Sequence, residues 1–153
     1  MTKVTTVNQM HNDFFDALAK DQPHYNPLLT DVCCNNPCAA MLCQRMAFFT
    51  LRARREGGKG WFDKTHDEWF DELRFTRTRL ETSRKILLEI GVLEERRWGI
   101  PAKMWYRIDV DRLAELFRKA RRAEHKRLAK KKVEQWPDQN HQRPPEPNQI
   151  LEQ

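Results

Sequence analysis

The stretch of residues 65–108 constrains the fold most, because helix start and stop signals follow one another there at short intervals. Thr65, followed three residues later by Glu68, is a capping box, which predicts a short helix. Thr76 is the next N-cap, and Gly91 suits the left-handed end of the second helix that it begins. Between these two residues, apolar or small side chains recur at helical spacing: Leu80, Ser83, Leu87 and Ile90. The pattern predicts two helices joined by a tight turn.

A β-hairpin is predicted directly after the second helix. Residues 92–97 alternate loosely as a strand does, residues 98–101 contain the Gly and Pro of a turn, and residues 102–108 return. A short strand over 61–63 is expected to pair with this hairpin. The fold class that these elements predict is mainly α with a small β-hairpin.

The domain is expected to start at an asparagine and a proline. Asn36 followed by Pro37 is a strong helix start, and the helix that it predicts is apolar nearly all round until Arg52. Before it, Pro23 and Pro27 predict an irregular linker. The chain then divides into an N-terminal arm with a short helix (1–35, helix over 12–20), the main domain (36–120), a basic helical extension (121–135) and a disordered tail (136–153).

The last predicted helix, which begins at Asp109, concentrates the positive charge. Between Arg112 and Lys132 there are ten basic residues and two acids, a balance of +8, whereas the whole chain has a formal net charge of +6. Such a surface favours a polyanionic partner. The chain has no apolar run of membrane-spanning length, and its first residues lack the apolar core of a secretory signal. A cytoplasmic protein without membrane contact is therefore expected.

The sequence predicts neither catalysis nor a cofactor. The loop at 57–60 lacks the full spacing of a phosphate-binding loop and does not follow a buried strand, so a nucleotide site is rejected. The carboxylates at 63–72 have no histidine or cysteine placed to complete a metal site with them. No arrangement of Ser, His and Asp can be ordered into a catalytic group.

The second helix presents a face suited to reading DNA. If its apolar and small residues face the core, its charged and hydroxyl side chains project outward. Arginine forks match guanine O6 and N7, and threonine hydroxyls bond to several base edges. The candidate base contacts are Arg77, Thr78, Arg79, Thr82 and Lys85. The alternative is an ordinary solvated face.

Basic residues outside that helix are candidates for contacts to the DNA backbone. Three lie on the hairpin and four on the following helix: Arg96, Arg97, Lys103, Arg118, Lys119, Arg121 and Arg122. Trp98 precedes Gly99 in the predicted turn, so its exposure would indicate a functional role. Of Trp105 and Tyr106, one must face inward because neighbours on a strand alternate.

Segment 76–93, together with 60–69 and 98–108, resembles the winged helix-turn-helix domains of bacterial phage, plasmid and integrative-element proteins, often labelled replication-initiation or replisome-organiser-like. The resemblance covers about residues 36–120 and implies a winged-helix fold. It places the family's recognition-helix residues at Arg77, Thr78, Arg79, Thr82 and Lys85. The cysteine cluster at 33–43 departs from the family pattern.

The sequence thus predicts a sequence-specific double-stranded DNA-binding protein of a mobile element, acting in replication initiation or transcription regulation. The alternative is a winged-helix adaptor that binds protein in a replisome or host-defence complex. The helix from Asp109 is also a candidate dimerisation arm, which leaves a homodimer open.

The four cysteines Cys33, Cys34, Cys38 and Cys43 lack the paired spacing of zinc knuckles. They are expected to be reduced, mostly buried and free of metal. We predict that elemental analysis of protein purified without chelator will show no stoichiometric zinc. About one zinc per chain, with loss of folding on chelation, would contradict this prediction.

Overall fold

The computed structural model describes Phe14, Leu18 and residues 23–135, which are mainly helical with a small three-stranded antiparallel sheet. In chain order the elements are α1 (Pro27–Val32), α2 (Pro37–Arg55), β1 (Phe62–Asp63), α3 (His66–Leu73), α4 (Arg77–Glu89), β2 (Leu93–Trp98), β3 (Lys103–Ile108) and α5 (Val110–Gln135). Most of the predicted helix over 12–20, and the predicted tail at 136–153, lie outside the described residues. Phe14 and Leu18 are helical and buried.

Both N-terminal helices begin at an asparagine followed by a proline. The side chain of Asn36 accepts a hydrogen bond from the amide of Ala39 at 3.0 Å, with Pro37 in the first turn of α2 as predicted. The Asn26 side chain caps α1 in the same way, with Pro27 following. The predicted irregular linker is therefore wrong from Pro27 on, because the Asn-Pro signal that starts α2 also starts α1.

The two helices of the central stretch are capped as the sequence predicts. The Thr65 hydroxyl accepts from the Glu68 amide at 3.2 Å, and the Glu68 carboxylate accepts from the Thr65 amide at 2.6 Å. These hydrogen bonds lower the pKa of Glu68. Arg74 ends α3 in the left-handed conformation, Thr76 caps α4, and Gly91 follows α4 with a φ of +79°.

The sheet order is β1–β3–β2, so the predicted short strand adds a third strand to the hairpin. β1 is limited to Phe62–Asp63, and Phe62 pairs with Tyr106. Trp98 was predicted in the turn but is the last residue of β2, paired with Lys103, because the four residues 99–102 suffice to reverse the chain. Tyr106 is the inward neighbour of the half-buried Trp105.

Helix α2 is the centre of the core. Leu42 and Met46 on this helix are fully buried, and they belong to one cluster with Trp69 of α3 and Leu80 of α4. The hydroxyl of Thr50 on α2 accepts a hydrogen bond from the Ile108 amide of β3 at 3.0 Å. This bond joins α2 to the sheet inside the core. The remaining elements therefore pack around α2.

A buried ionic cluster interrupts the apolar surface predicted for α2. Arg45 is only 5% exposed, and its guanidinium pairs with the Glu72 carboxylate of α3. The ammonium of Lys64, from the segment between β1 and α3, pairs with the same carboxylate. Burial, together with the nearby Arg45 charge, lowers the pKa of Lys64 to about 8. The single carboxylate of Glu72 is thus shared by two cations that are largely withdrawn from water.

Aromatic rings enclose this ionic cluster. The Arg45 guanidinium lies 4.7 Å from the centroid of the Phe48 ring, and the Lys64 ammonium lies 4.1 Å from that of Phe49 and 4.6 Å from that of Trp69. Cations are attracted to the faces of aromatic rings, and more strongly where water is excluded. The rings therefore compensate part of the cost of burying the charges.

The chain divides into two compact units, Met1–Ala120 and Arg121–Gln153. The first unit contains the sheet and helices α1 to α4. The domain boundaries expected from the sequence stay predictions. Leu29 and Cys33, which lie in the predicted N-terminal arm (1–35), belong to the core cluster around α2.

We predict that Glu72→Gln will lower the free energy of unfolding by about 3 kcal/mol, because it leaves two buried cations without their shared carboxylate. Chemical denaturation followed by circular dichroism measures this change. Glu81→Gln is the matched control, since Glu81 pairs with Arg77 at 3.1 Å on an exposed surface and such pairs contribute less than about 1 kcal/mol. Equal effects of the two substitutions would contradict the prediction.

Candidate nucleic-acid interface

Helix α4 buries one face and leaves the predicted DNA-reading face free. Leu80, Ser83 and Leu87 are buried, and the small Ser83 allows close packing against α2. All five candidate base-contact residues are exposed on the opposite side: Arg77, Thr78, Arg79, Thr82 and Lys85. The helical spacing therefore separated these buried and exposed positions correctly, whereas Ile90, also predicted to face the core, is half-buried and is the C-cap after α4.

The cations of this face differ in their partners. Arg77 pairs with Glu81 one turn later at 3.1 Å, and both side chains are more than half exposed. Among the described residues, no carboxylate lies within ion-pair distance of Arg79 or Lys85. The nearest ring to the Arg79 guanidinium is that of Phe75, with its centroid at 6.0 Å. Arg79 and Lys85 are thus available to an acceptor from outside, and the weak pair of Arg77 opens at little cost.

A shallow polar depression lies beside the first turn of α4. It encloses about 350 Å³, and the start of α2 forms its other wall. Side-chain hydroxyls, an amide, a thiol and the Arg79 guanidinium line it: Asn36, Cys38, Thr76, Thr78, Arg79, Thr82 and Ser83. Donors and acceptors of this kind suit the edge of a base or a phosphate oxygen.

The hairpin separates two arginines that the sequence pattern placed together. Residues directly opposite each other in an antiparallel pair share a face. Arg97 pairs with Met104 and lies on the face of the buried Tyr106, whereas Arg96 pairs with Trp105 on the other face. Both arginines are exposed. They cannot contact one ligand surface as a simple pair, because strand alternation turns them in opposite directions.

A second ion pair joins the hairpin to α4, and sequence reasoning missed it. The Arg84 guanidinium bonds to the Glu95 carboxylate at 2.6 Å, with both side chains less than one-fifth exposed. This hydrogen bond raises the pKa of Arg84. The guanidinium also lies 5.5 Å from the centroid of the Tyr106 ring. The pair fixes the orientation of α4 relative to the hairpin face that carries Arg97.

The remaining candidate backbone contacts lie at the end of the hairpin and on α5. Lys103 pairs with Asp63 at 3.4 Å at the end of the hairpin. In the first unit, Arg118 is half-buried and the exposed Lys119 lies 3.6 Å from Glu115. In the second unit, residues 121–135 carry seven basic side chains and two glutamates, and they include Arg121 and Arg122.

The cysteines do not converge on one point. Cys33 and Cys43 are buried, Cys38 is half-buried and Cys34 is exposed. The prediction that the cysteines are mostly buried is therefore correct for two of the four. The hydrogen bond with the Cys33 thiol, together with burial, raises the pKa of the Cys43 thiol well above its ordinary value. Within Phe14, Leu18 and residues 23–135, no group of three or more His, Cys, Asp or Glu side chains is placed to hold a metal ion.

No helix in the described part of the chain has both the length and the apolar character needed to cross a membrane. Comparison of the chain with protein-family models, with curated proteins and with solved structures gave no match. Function is therefore inferred from the geometry of α4 and the hairpin.

Proposed function

We propose that this chain is a winged-helix protein that binds double-stranded DNA in a sequence-specific manner, with α4 as the recognition helix and the β2–β3 hairpin as the wing. The observation that carries the proposal is the exposed face of α4, where Arg79 and Lys85 have no acidic partner among the described residues. The Arg84–Glu95 pair holds this face beside the hairpin.

The size and chemistry of α4 support this assignment. The major groove of B-form DNA is about 12 Å wide and admits one α-helix. The residues of the first turns of such a helix reach the base edges, and here they include Arg77, Thr78 and Arg79. Arginine bonds in a bidentate manner to guanine, and the threonine hydroxyls serve as donors or acceptors. The polar depression beside this turn provides further groups of the same kind.

Contacts to the DNA backbone divide into two groups in this proposal. Arg97 lies on the hairpin face that Glu95 shares, so it is the wing arginine on the side of α4. The basic residues of α5 add a sequence-independent attraction, because each neutralised phosphate releases a counterion. A role in replication initiation or transcription regulation of a mobile element completes the proposal, and it is supported by the resemblance of segment 76–93.

We predict that Arg79→Ala and Arg77→Ala will each cost about 1–3 kcal/mol on a preferred duplex and will reduce sequence preference. Selection from a random duplex pool supplies that duplex, and fluorescence anisotropy measures the affinity. Arg52→Ala is the control, because Arg52 lies on α2 about 20 Å along the helix axis from Cys38 at the depression. Binding of both variants like wild type on preferred and scrambled duplexes would favour the adaptor function.

A separate prediction concerns Arg118, Lys119, Arg121 and Arg122. Changing each one to alanine should weaken binding to all duplexes alike. It should also reduce the slope of log affinity against log salt by about one for each phosphate that is no longer neutralised. A salt series on the preferred and the scrambled duplex measures both quantities. A weakening confined to the preferred duplex would instead assign these residues to base recognition.

A further inference from the structure

The sheet has an outer face that the proposed duplex site does not use. Three tryptophans, three cations and two carboxylates lie on this face, where Asp63 pairs with Lys103 and Glu94 with Arg107. We name it the tryptophan–arginine face: Trp61, Trp98, Trp105, Arg96, Lys103 and Arg107. It is the face opposite Tyr106 and Arg97. The alternation of β2 and β3 places these side chains together, although they are distant in sequence.

One ring of this face is open to solvent, that of Trp98, whereas Trp61 and Trp105 are half-buried. Trp98 is 67% exposed, whereas Trp69, on α3, is fully buried. The Trp98 and Trp105 ring centroids lie 6.3 Å apart and the two rings are tilted by 54°. Exposed apolar rings that form one continuous patch mark binding surfaces, whereas single exposed residues do not, and here Trp98 adjoins Trp105. From its position before Gly99, we expected that an exposed Trp98 would indicate a functional role, and Trp98 is exposed.

The cations lie among the rings. The guanidinium of Arg96 is 5.2 Å from the centroid of Trp61, and that of Arg107 is 4.6 Å from it. Arg107 is also held by the Glu94 carboxylate at 2.8 Å and by the Lys59 carbonyl. Arg96 has no carboxylate within ion-pair distance among the described residues. The face therefore offers flat apolar rings together with a positive charge that a phosphate can approach.

We propose that the tryptophan–arginine face binds single-stranded DNA by stacking unpaired bases on Trp98 and Trp105, with Arg96 contacting the phosphates between them. Aromatic rings beside cations form the usual platform for single strands, because every base has a π-face that can stack on a ring. Duplex DNA does not present these faces, since its bases are stacked on one another. The choice of DNA over RNA rests on the proposed duplex-binding function.

The geometry separates this site from the duplex site. Arg96 and Arg97 are consecutive and both exposed, yet they lie on opposite faces of the hairpin. Replacing either one removes one positive charge at almost the same place in the chain. Arg97→Ala is therefore a matched control for Arg96→Ala, and the two variants should affect different ligands.

The experiment measures binding of fluorescently labelled (dT)12 to the full chain by anisotropy. A strand of twelve abasic sites, which has the phosphates without the bases, and (rU)12 are measured beside it. We expect Trp98→Ala to weaken (dT)12 binding by about five- to a hundredfold, which corresponds to the stacking of one base. Arg96→Ala should weaken it several-fold, whereas Arg97→Ala should leave it within about twofold and weaken duplex binding instead. Thermal melting confirms that each variant is folded.

Several results would overturn the inference. Wild-type protein that binds no (dT)12, or that binds the abasic strand as tightly, would show that no base is stacked. Equal effects of Arg96→Ala and Arg97→Ala on (dT)12 binding would show general electrostatic attraction only. Tighter binding of (rU)12 than of (dT)12 would assign the face to RNA. The duplex proposal is tested separately, by measuring how the Arg79→Ala variant binds the preferred duplex. The two proposals can therefore fail independently.

Discussion

The ion pair between Arg45 and Glu72 joins α3 to the central helix α2, around which the rest of the first unit is arranged. Arg45 lies on the central helix α2 and Glu72 on α3, while Lys64, which follows β1, shares the same carboxylate. The charges are enclosed by the rings of Phe49 and Trp69, which also contact each other. Because a buried cation without its carboxylate is costly, placements of α3 and β1 that separate Glu72 from Arg45 or Lys64 are disfavoured.

This placement determines where the candidate DNA-binding surface lies. The turn at Arg74 connects α3 to α4, so fixing α3 fixes the start of α4 and brings Thr76 beside the start of α2. Further along, the Arg84–Glu95 pair connects the middle of α4 to β2. The exposed face of α4 is therefore held near its start and near its middle by charged groups that are largely withdrawn from solvent. A rigid helix loses little conformational freedom when it binds, which favours specific recognition.

The site could be predicted from the sequence only where its residues lie on one helix. The exposure of Arg77, Thr78, Arg79, Thr82 and Lys85 follows from spacing within α4. The hairpin residues were harder to predict, because the register of β2 with β3 decides which of them share a face. Arg96 and Arg97 were grouped as neighbours in the sequence, and the pairing with Trp105 and Met104 separates them. Trp61 was expected beside the hairpin as part of the short strand 61–63, but its contacts with Arg96 and Arg107 depend on the face that each side chain occupies and could not be predicted.

The sequence by itself determined most local elements: the helix start at Asn36 and Pro37, the capping box at Thr65, the cap at Thr76 and the glycine after α4. These signals act over three or four residues through backbone hydrogen bonds, so they can be read without a fold. Tertiary structure alone decided that the charged Arg45 is buried and that the sheet has one face beside α4 and another rich in tryptophan. Burial of a charge depends on a partner such as Glu72, 27 residues away, and no local pattern encodes that distance.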